Sequence, residues 1–419
     1  MGKYIWDYMD EIHINQFKEA DKSYRVEKEL EAPSYRRATI LPYRTTEDPA
    51  RALGGILNMD NKWIPESGQH IVGTDVVDGY PVDEVEESDL EVVWFGYFHN
   101  HWGHFLTEMI SRCWYLLKHN PVEEDFYVAY AIKTDACNVG LQGTFKEFLN
   151  ILGVPDERIL LVNKPTRFNE INLPDISCVA GQWYTDKYVA IFDKMISECQ
   201  GEGYDKVYLT RLKGKGLAST QIGEKALMKT FRGNGYKVVA PETMSLREQI
   251  SVYSSAKEMV VVAGTLMHNV LFCNPDTKFT ILSRDTGNNA YQPLINDLKK
   301  VSITYIDCHL SFFPTFAGGP FLFYFSDNLC KFCKDNGLAY ERYVEGKLRL
   351  HIKLMWYFIM YLQNISGDVI DHWDMEKKYN AGMMTRYKFY RNKLKDYDAP
   401  MERKLRNGMA RVVKKVFGL

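Results

Sequence analysis

Apolar and amphipathic stretches alternate along the chain from about residue 91 to residue 300. The β-branched and aromatic run 91–95 predicts a strand, and the spacing of apolar residues over 105–117 predicts a helix directly after it. Further strands are predicted at 126–132 and 158–162, with a helix at 144–152 that ends at Gly153. Strands that alternate with helices indicate a parallel sheet covered by helices.

A second array of the same kind follows the glycines at positions 201 and 203. Residues 188–199 predict a linking helix before it, strands are predicted at 206–210, 237–240, 259–263 and 278–282, and helices at 224–231 and 246–255. We therefore predict an α/β protein with two Rossmann-like domains that face a central cleft. Their expected bounds are 1–200 and 201–310, followed by a C-terminal helical region at 311–419.

Composition agrees with a folded protein of more than one domain. The chain has 419 residues, 46% of them hydrophobic and 25% charged, and a single apolar core stops growing at about 250 to 300 residues. Its net charge of −2 gives no general attraction for nucleic acid. The eight cysteines lack the spacing of a secreted disulfide scaffold, and the pair Cys330 and Cys333 lacks the second pair of a zinc ribbon. With no signal-peptide pattern at the first residues, we expect a cytoplasmic protein.

Two late segments bear on membrane contact. The apolar run 354–362 is about half as long as a membrane-spanning helix needs to be, so it is expected to form a buried helix. The tail 403–419 has a basic face and an apolar helical stripe made of Leu405, Met409, Val412, Val413, Val416 and Phe417. Such a tail can lie on the inner face of an anionic membrane, pack on the first domain, or stay solvated.

Three histidines and a carboxylate lie where the strand 91–95 leads into a helix. They are His99, His101, His104 and Glu108, with Asn100 between the first two. Either His104 or Glu108 is a candidate general base, because a hydroxyl nucleophile needs help to lose its proton at neutral pH. The alternatives are an ordinary capped helix, or a metal site on a shared helix face, although the spacing matches no common hydrolytic zinc motif.

A second cluster follows the strand 206–210. Arg211, Lys213 and Lys215 lie in a glycine-bearing loop, where cations and backbone N–H groups can meet the negative charge of a diphosphate. The loop lacks the spacing of a Walker motif. The alternative is a solvated basic loop.

A third cluster follows the strand 259–263. Gly264 permits close backbone approach, and the helix start after it offers N–H groups to a phosphate. His268 and Asn269 could contact phosphate, ribose or sugar, or could simply cap the helix. Glu242, after the strand 237–240, could accept hydrogen bonds from ribose. The polar and aromatic loop 284–292 suits contacts with a base or a sugar.

Taken in order, these motifs resemble glycosyltransferase family 61, whose bacterial members are often capsular polysaccharide biosynthesis proteins. The resemblance covers about 94–297. The first shared element is a histidine followed four residues later by an acid, here His104 and Glu108. A Tyr-x-x-Arg strand end follows at Tyr208 and Arg211, a Pro-Glu pair at Pro241 and Glu242, and a Glu-Gln pair at Glu248 and Gln249. The last is a glycine-rich turn that leads to Asn and Phe, here Gly264, Asn269 and Phe272. Ala263 stands where many relatives have a histidine, a position for which His268 could substitute.

The resemblance implies a GT-B-like architecture and inverting transfer from a UDP-sugar, usually without an essential metal. The acceptor would be a glycan or lipid-linked glycan. On this view His104 and Glu108 are catalytic, and the substrate-binding residues are His99, Asn100, His101, Arg211, Lys213, Lys215, Glu242, Gln249, Gly264, His268 and Asn269. Two alternatives remain: an inactive glycan- or nucleotide-binding module, and a metal-dependent hydrolase built on the cluster 99–108.

Overall fold

The computed structural model describes residues 4–11, 13–14, 22–134, 140–214, 220–285, 289–311, 319–341, 352–360, 411 and 414–415. The strands are β1 (Tyr4–Ile5), β2 (Ser34–Arg36), β3 (Thr39–Thr45), β4 (Arg51–Leu57), β5 (Trp63–Ile64), β6 (His70–Ile71), β7 (Thr74–Asp78), β8 (Glu86–Tyr97), β9 (Tyr127–Ala131), β10 (Ile159–Val162), β11 (Thr166–Asn172), β12 (Cys178–Val179), β13 (Trp183–Tyr184), β14 (Lys206–Leu209), β15 (Gln221–Ile222), β16 (Lys237–Val239), β17 (Glu258–Val262), β18 (Lys278–Ser283), β19 (Ser302–Asp307) and β20 (Phe321–Leu322).

The longer α-helices are α1 (Thr144–Ile151), α2 (Asp186–Glu198), α3 (Glu224–Gly233), α4 (Leu246–Ser255), α5 (Gln292–Lys299) and α6 (Asp327–Asp335). Shorter pieces are an α-helical turn at Trp102–His104, a π-helix at Phe105–Met109, and 3-10 helices at Pro65–Ser67, Cys113–Leu117, Asp156–Arg158, Pro241–Thr243 and Thr265–Phe272. The α/β class predicted from the alternation of apolar and amphipathic stretches is confirmed.

The smaller of the two main sheets is parallel throughout. Its strands lie in the order β1-β19-β18-β17-β14-β16. Within this order, β14 is flanked by the next two strands of the sheet along the chain, β16 on one side and β17 on the other. Such a doubly wound order has a topological switch point between β14 and β17, and ligands bind outside the carboxyl ends of the strands at such a point.

Both faces of the smaller sheet are buried. One apolar cluster on it includes Tyr208, Val260, Phe231 and Phe332, the last two from α3 and α6. On the other face, Val207 and Val261 belong to a cluster that also contains residues of α2, α4 and α5. The β-branched run of β17 suits a strand that is covered on both sides.

The larger sheet is mixed. Its strands lie in the order β10-β9-β8-β11-β3-β4-β7-β6, with β2 paired to β11 and β5 to β4. The pairs β10–β9 and β9–β8 are parallel, as the alternating pattern predicts. The strand β11, which the pattern did not predict, also pairs with β8 in parallel. The pairs of β3 with β4 and of β3 with β11 are antiparallel. Residues 34–78, to which the sequence pattern assigned no architecture, thus extend the parallel strands on one side.

The smaller sheet also recruits residues from outside 201–310. At its edge, Tyr4 and Ile5 pair in parallel with Ile303 and Thr304 of β19. On the carboxyl side, the helix α6 packs against β19, and Phe332 of that helix is buried. The domain bounds 1–200, 201–310 and 311–419 stay predictions.

The two sheets share an apolar core. Phe192 of α2, the predicted linking helix, lies with its ring centroid 5.5 Å from that of Phe272. The Glu147 carboxylate of α1 accepts hydrogen bonds from the backbone N–H groups of Leu246 at 2.7 Å and Arg247 at 3.1 Å, which caps the start of α4. These contacts fix α2 against the 3-10 helix Thr265–Phe272 and α1 against the start of α4.

The helix predicted over 105–117 is wrong as one continuous element. The α-helical turn is followed at Phe105 by the π-helix, which ends at Met109, and a 3-10 helix begins at Cys113. The buried Arg112 donates hydrogen bonds to the carbonyl oxygens of Pro174 at 2.9 Å and Glu66 at 2.8 Å. These bonds hold the chain in a turn where a regular helix would continue.

The expectation of a buried helix at 354–362 is also wrong. Residues 352–360 are helical, but Ile352, Met355, Trp356 and Ile359 are exposed, while Tyr357 is buried. Most of the tail 403–419 lies outside the described residues. Within the part of the chain that the structure describes, no helix has the length and apolar character needed to span a bilayer.

Candidate functional site

The first part of the site is the connection that follows β8. His101 has an extended backbone and caps the helical turn, and its Nδ1 accepts a hydrogen bond from the backbone N–H of His104 at 3.5 Å. The helix therefore starts at Trp102, so His101 precedes the helix face that carries His104 and Glu108. The rings of His101 and His104 still lie close, with centroids 4.7 Å apart.

His104 and Glu108 form a directed pair. His104 Nδ1 lies 2.7 Å from Glu108 Oε1, and the two side chains are 22% and 2% exposed. An ionised carboxylate only accepts hydrogen bonds, so Nδ1 carries the proton and Nε2 of His104 is left as the acceptor nitrogen. The pair resembles the carboxylate and histidine arrangement that fixes an imidazole for proton transfer.

Glu108 is held from three further directions. Its Oε2 accepts a hydrogen bond from the backbone N–H of Val72 at 2.9 Å, and its own carbonyl accepts one from Gln69 at 2.7 Å. The hydroxyl of Tyr291, from the loop 284–292, also donates a hydrogen bond to the Glu108 carboxylate. Burial and the nearby Glu108 charge raise the pKa of Tyr291 to about 12, so the hydroxyl keeps its proton. Glu108 is thus fixed and buried, whereas His104 is partly exposed.

The two other histidines of this cluster are neutral at physiological pH. Burial, followed by the charge of His104, lowers the pKa of both His99 and His101. Nδ1 of His99 is buried and has no hydrogen-bond partner among the described residues. Asn100 is exposed, and His101, although covered on one side, also keeps part of its surface open to solvent. Neutral imidazoles can donate to or accept from a polar ligand.

The second part of the site is cationic and lies at the carboxyl ends of β14 and β18. Arg211 follows β14, and burial lowers the pKa of its guanidinium while Glu242 and Glu224 raise it. Arg284 follows β18, and burial lowers its pKa to about 10. The charge of Arg211 contributes to that lowering, so the two guanidinium groups act on each other electrostatically.

Arg284 is held in place by its surroundings. Its guanidinium carbon lies 4.0 Å from the centre of the Phe321 ring, and its Nε is 3.9 Å from Asp285 Oδ2. A Cβ atom on Gly264 would come within 2.7 Å of Arg284 Nη1. The sequence predicted the loop 284–292 to contact a base or a sugar and did not single out Arg284. Its position at a strand end, like that of Arg211, was the available signal.

Glu224 is a second residue of this region that the sequence motifs did not indicate. It begins α3, is fully buried, and accepts a hydrogen bond from the Thr210 hydroxyl at 2.7 Å. Burial raises its pKa to about 7, with Glu242 adding to the rise and Thr210 and Arg211 opposing it. A buried acid thus lies beside the cationic loop.

The third predicted cluster surrounds the start of a 3-10 helix. Gly264 has a φ of +123°, which disfavours any residue with a side chain. His268 is buried, and its Nδ1 donates to Gln292 Oε1 at 2.7 Å. Burial lowers its pKa to about 4, so this histidine is neutral. Asn269 donates to the Tyr253 hydroxyl at 3.3 Å, and its Oδ1 has no partner within the described part of the chain.

The remaining predicted residues differ in exposure. Gln249 is buried and donates to the carbonyl oxygens of Pro241 at 3.0 Å and Met244 at 3.1 Å, while its own oxygen accepts from Tyr253. It therefore shapes the turn that carries the exposed Glu242, and a direct role for Gln249 in binding substrate stays a prediction. Lys213 is exposed, and Lys215 lies outside the described residues.

The histidine cluster and the arginine cluster are adjacent. A Cβ atom on Gly103 would lie 3.3 Å from side-chain carbons of both Thr265 and His268, so the turn after β8 packs on the turn after β17. Burial is the main cause of the lowered pKa of both His101 and His268; the charge of Arg211 adds to the lowering at His101, and unfavourable interaction with His104 and His101 in their protonated forms adds to it at His268. Together with the bond from Tyr291 to Glu108, these contacts join the two clusters in one site.

Within the described part of the chain, the cluster 99–108 is not among the places where three metal-ligating atoms come together. Among the described residues, side chains with three such atoms within 4.8 Å of one another occur at Asp10, His13 and Asp307 instead.

Comparison with known families supports one enzyme class. The sequence model of the family Glycosyltransferase 61 matches residues 102–280, a segment that starts at the helical turn after β8 and ends inside β18. The match supports the assignment of the protein as a glycosyltransferase and, within that class, its assignment to family 61. Arg284 lies just beyond the matched segment. No curated protein matches the chain.

Proposed function

We propose that the protein transfers a sugar from a UDP-sugar to a hydroxyl group of a glycan acceptor, with inversion at the anomeric carbon. The observation that carries the proposal is that the turn with the His104–Glu108 pair packs through Gly103 on the turn after β17, where Gly264 lies beside Arg284. Arg211 acts electrostatically on His101 of the same histidine cluster. A glycosyltransferase needs both a base and cationic groups, because the acceptor must lose a proton while the donor gains negative charge on its leaving diphosphate.

His104 is the better candidate for the base. Its Nδ1 proton is bound by Glu108, which leaves Nε2 to accept the proton of the acceptor hydroxyl. Glu108 is buried and already accepts bonds from Val72 and Tyr291. Its role is to orient the imidazole and to stabilise the imidazolium that forms.

Arg211 and Arg284 would bind the diphosphate. Guanidinium groups match phosphate oxygens with two parallel hydrogen bonds, and both of these groups are partly withdrawn from water, where such bonds are stronger. Gly264, which has no side chain, allows the backbone after β17 to approach the diphosphate as well. The site lies beside the topological switch point, where nucleotides bind in doubly wound sheets.

The reaction balances without a further reactant. The acceptor oxygen attacks the anomeric carbon as its proton passes to His104, the bond from that carbon to the diphosphate breaks, and UDP leaves with the electron pair. The arginines compensate the charge on UDP, so an essential metal ion is not required for this step.

The proposal further includes a GT-B-like arrangement of the two sheets and a glycan or lipid-linked glycan as the acceptor. It also includes a role in surface or capsular polysaccharide synthesis, carried out at the inner face of the membrane. The resemblance described above supports these points.

A panel of nucleotide sugars tests the donor. We expect one UDP-sugar to raise the melting temperature of the full chain, with the same shift in the presence of EDTA. Stabilisation that disappears with EDTA would contradict the metal-independent mechanism. If a nucleotide sugar stabilises the protein but is neither transferred to an acceptor nor hydrolysed, that result would favour the inactive binding module.

The variant His104→Ala tests the base. We expect kcat to fall by about 100- to 10,000-fold, the usual contribution of a general base, with donor affinity unchanged. The matched control is His119→Ala, because His119 pairs with Glu124 at 2.8 Å on the exposed surface. Equal activity of the two variants would show that His104 is not the base.

A further inference from the structure

Two segments that are far apart in the sequence meet at the carboxyl end of β19. Asp10, His13 and Asp307 each place a potential metal-ligating atom within 4.8 Å of the other two. His13 and Asp307 are buried, and Asp10 is half-buried. Asp307 ends β19 of the smaller sheet, Asp10 and His13 follow β1 in the sequence, and none of the three belongs to the proposed transfer site.

The Asp307 carboxylate is only half satisfied. Its side chain is 3% exposed, and Oδ2 accepts bonds from His13 Nδ1 at 2.6 Å and from the backbone N–H of Asp10 at 2.7 Å. Its other oxygen, Oδ1, is buried and has no hydrogen-bond partner among the described residues. A buried acceptor without a partner has lost its hydrogen bonds to water and gained none in return, which is most unfavourable for a charged group, so an ion or water is expected to complete it.

Neighbouring side chains orient this group as they do in protein metal sites. Asn328 donates to Asp10 Oδ1 at 3.0 Å, which fixes that carboxylate. The ring of His309 stacks on that of His13 with centroids 5.4 Å apart, and His309 Nδ1 lies 3.2 Å from the carbonyl oxygen of Ser283. Hydrogen bonds of this kind around the ligands are a regular feature of metal centres and set their orientation.

We propose that Asp10, His13 and Asp307 bind one divalent transition-metal ion, with Zn²⁺ as the best match. One imidazole nitrogen and two carboxylate oxygens suit Zn²⁺, whose bonds to such atoms are about 2.0 to 2.2 Å. Ligand atoms around one such ion lie at most about 4.4 Å apart, so a small contraction of the group suffices. Asp307 would bind the ion through Oδ1, its buried oxygen without a hydrogen-bond partner among the described residues.

The ion would act as a clamp rather than as a catalyst. It would join the segment around Asp10 and His13 to the end of β19, next to the strand β18 that leads to Arg284. Because binding requires that Asp10, His13 and Asp307 be held together as in the folded protein, a bound ion stabilises the folded state. This inference does not depend on the proposed transfer reaction.

The experiment titrates Zn²⁺ into EDTA-treated, dialysed full chain in competition with a chromophoric chelator, and follows the melting temperature in parallel. We expect one ion per chain and a rise in melting temperature. Asp307→Asn and His13→Gln are expected to lower the affinity for Zn²⁺ at least about 10-fold, the usual effect of perturbing a metal site. Asp10→Asn is the fold-sparing variant, because asparagine keeps an oxygen for the bond from Asn328.

Two controls locate the ion. His70→Gln alters a histidine that pairs with Asp75 at 2.8 Å on the surface, where no third ligand atom converges within the described residues. His104→Gln alters the histidine cluster of the transfer site. Both should bind Zn²⁺ like the unmodified protein. The proposal is overturned if the unmodified protein binds no Zn²⁺, if Asp10→Asn binds it as tightly as the unmodified protein, or if only His104→Gln loses it.

Discussion

The buried Glu224 makes protein stability depend on pH in a direction that is unusual for an acid. Burial raises its pKa from 4.5 to about 7 in the folded protein. Between these pH values the folded state holds a proton that the unfolded chain has lost. Stability therefore falls as pH rises through this window, and the loss is complete above pH 7.

The size of the effect follows from the pKa difference. Each pKa unit corresponds to about 1.4 kcal/mol, so the ionisation of Glu224 costs about 3 kcal/mol of folding free energy at pH 8. Glu224→Gln removes the ionisation and keeps an oxygen that can accept from Thr210. We therefore expect the variant to be more stable than the unmodified protein by up to about 3 kcal/mol at pH 8, and equally stable at pH 4.5.

Urea denaturation at pH 4.5 and pH 8 measures the difference. Glu157→Gln is the matched control, because Glu157 is exposed and its replacement should change stability at neither pH. A stability difference for Glu224→Gln that is the same at both pH values would refute the reasoning, since it would then reflect packing rather than ionisation.

Three further substitutions probe the site. Arg284→Ala should weaken UDP binding by about 10-fold or more in calorimetry, similar to Arg211→Ala, since each removes hydrogen bonds to a charged group worth about 1.5 to 3 kcal/mol; an unchanged Kd would exclude the arginine from the diphosphate site. Tyr291→Phe removes the bond to Glu108, so kcat should fall several-fold while donor affinity stays constant; loss of donor affinity alone would instead indicate a direct contact with the nucleotide. Gly264→Ala should lower both the melting temperature and UDP affinity, because the added Cβ meets the Arg284 guanidinium in a backbone conformation with φ +123°; wild-type values of both would contradict this account.

The sequence pattern predicted the elements with strong local signals. The strands β8, β9, β10, β14, β16, β17 and β18 and the helices α1 to α4 lie within a few residues of their predicted positions. Each has an apolar periodicity long enough to specify its own type. The helix after β8 was different, because its course depends on the hydrogen bonds of the buried Arg112 to partners that are about 40 to 60 residues away.

The antiparallel part of the larger sheet had no comparable signal. The strands β5 and β6 are two residues long, and β3 and β4 contain proline or glycine and a register shift. Strand preference in such segments comes from the neighbouring strands more than from the residues themselves. Their existence could not be inferred from residues 34–78 alone.

For the site, the position of polar residues at strand ends was the useful guide. It predicted His104, Glu108, Arg211 and Gly264, which the structure brings into one region. Arg284 and Tyr291 lie in a loop of ordinary composition, and their relation to Gly264 and Glu108 exists only in three dimensions. The burial of Gln249 was likewise not apparent, because an amide at a helix start has the same sequence signature whether it faces solvent or the core.

The pairing of β1 with β19 has a consequence for how the protein can be made in pieces. About 300 residues separate Tyr4 from its partner Ile303, so the segment around Tyr4 is synthesised long before the strand that it pairs with. A fragment restricted to residues 201–310 would present the outer edge of β19 to solvent as an unpaired template for other chains. Co-expression with a peptide that spans the first residues should restore solubility to such a fragment.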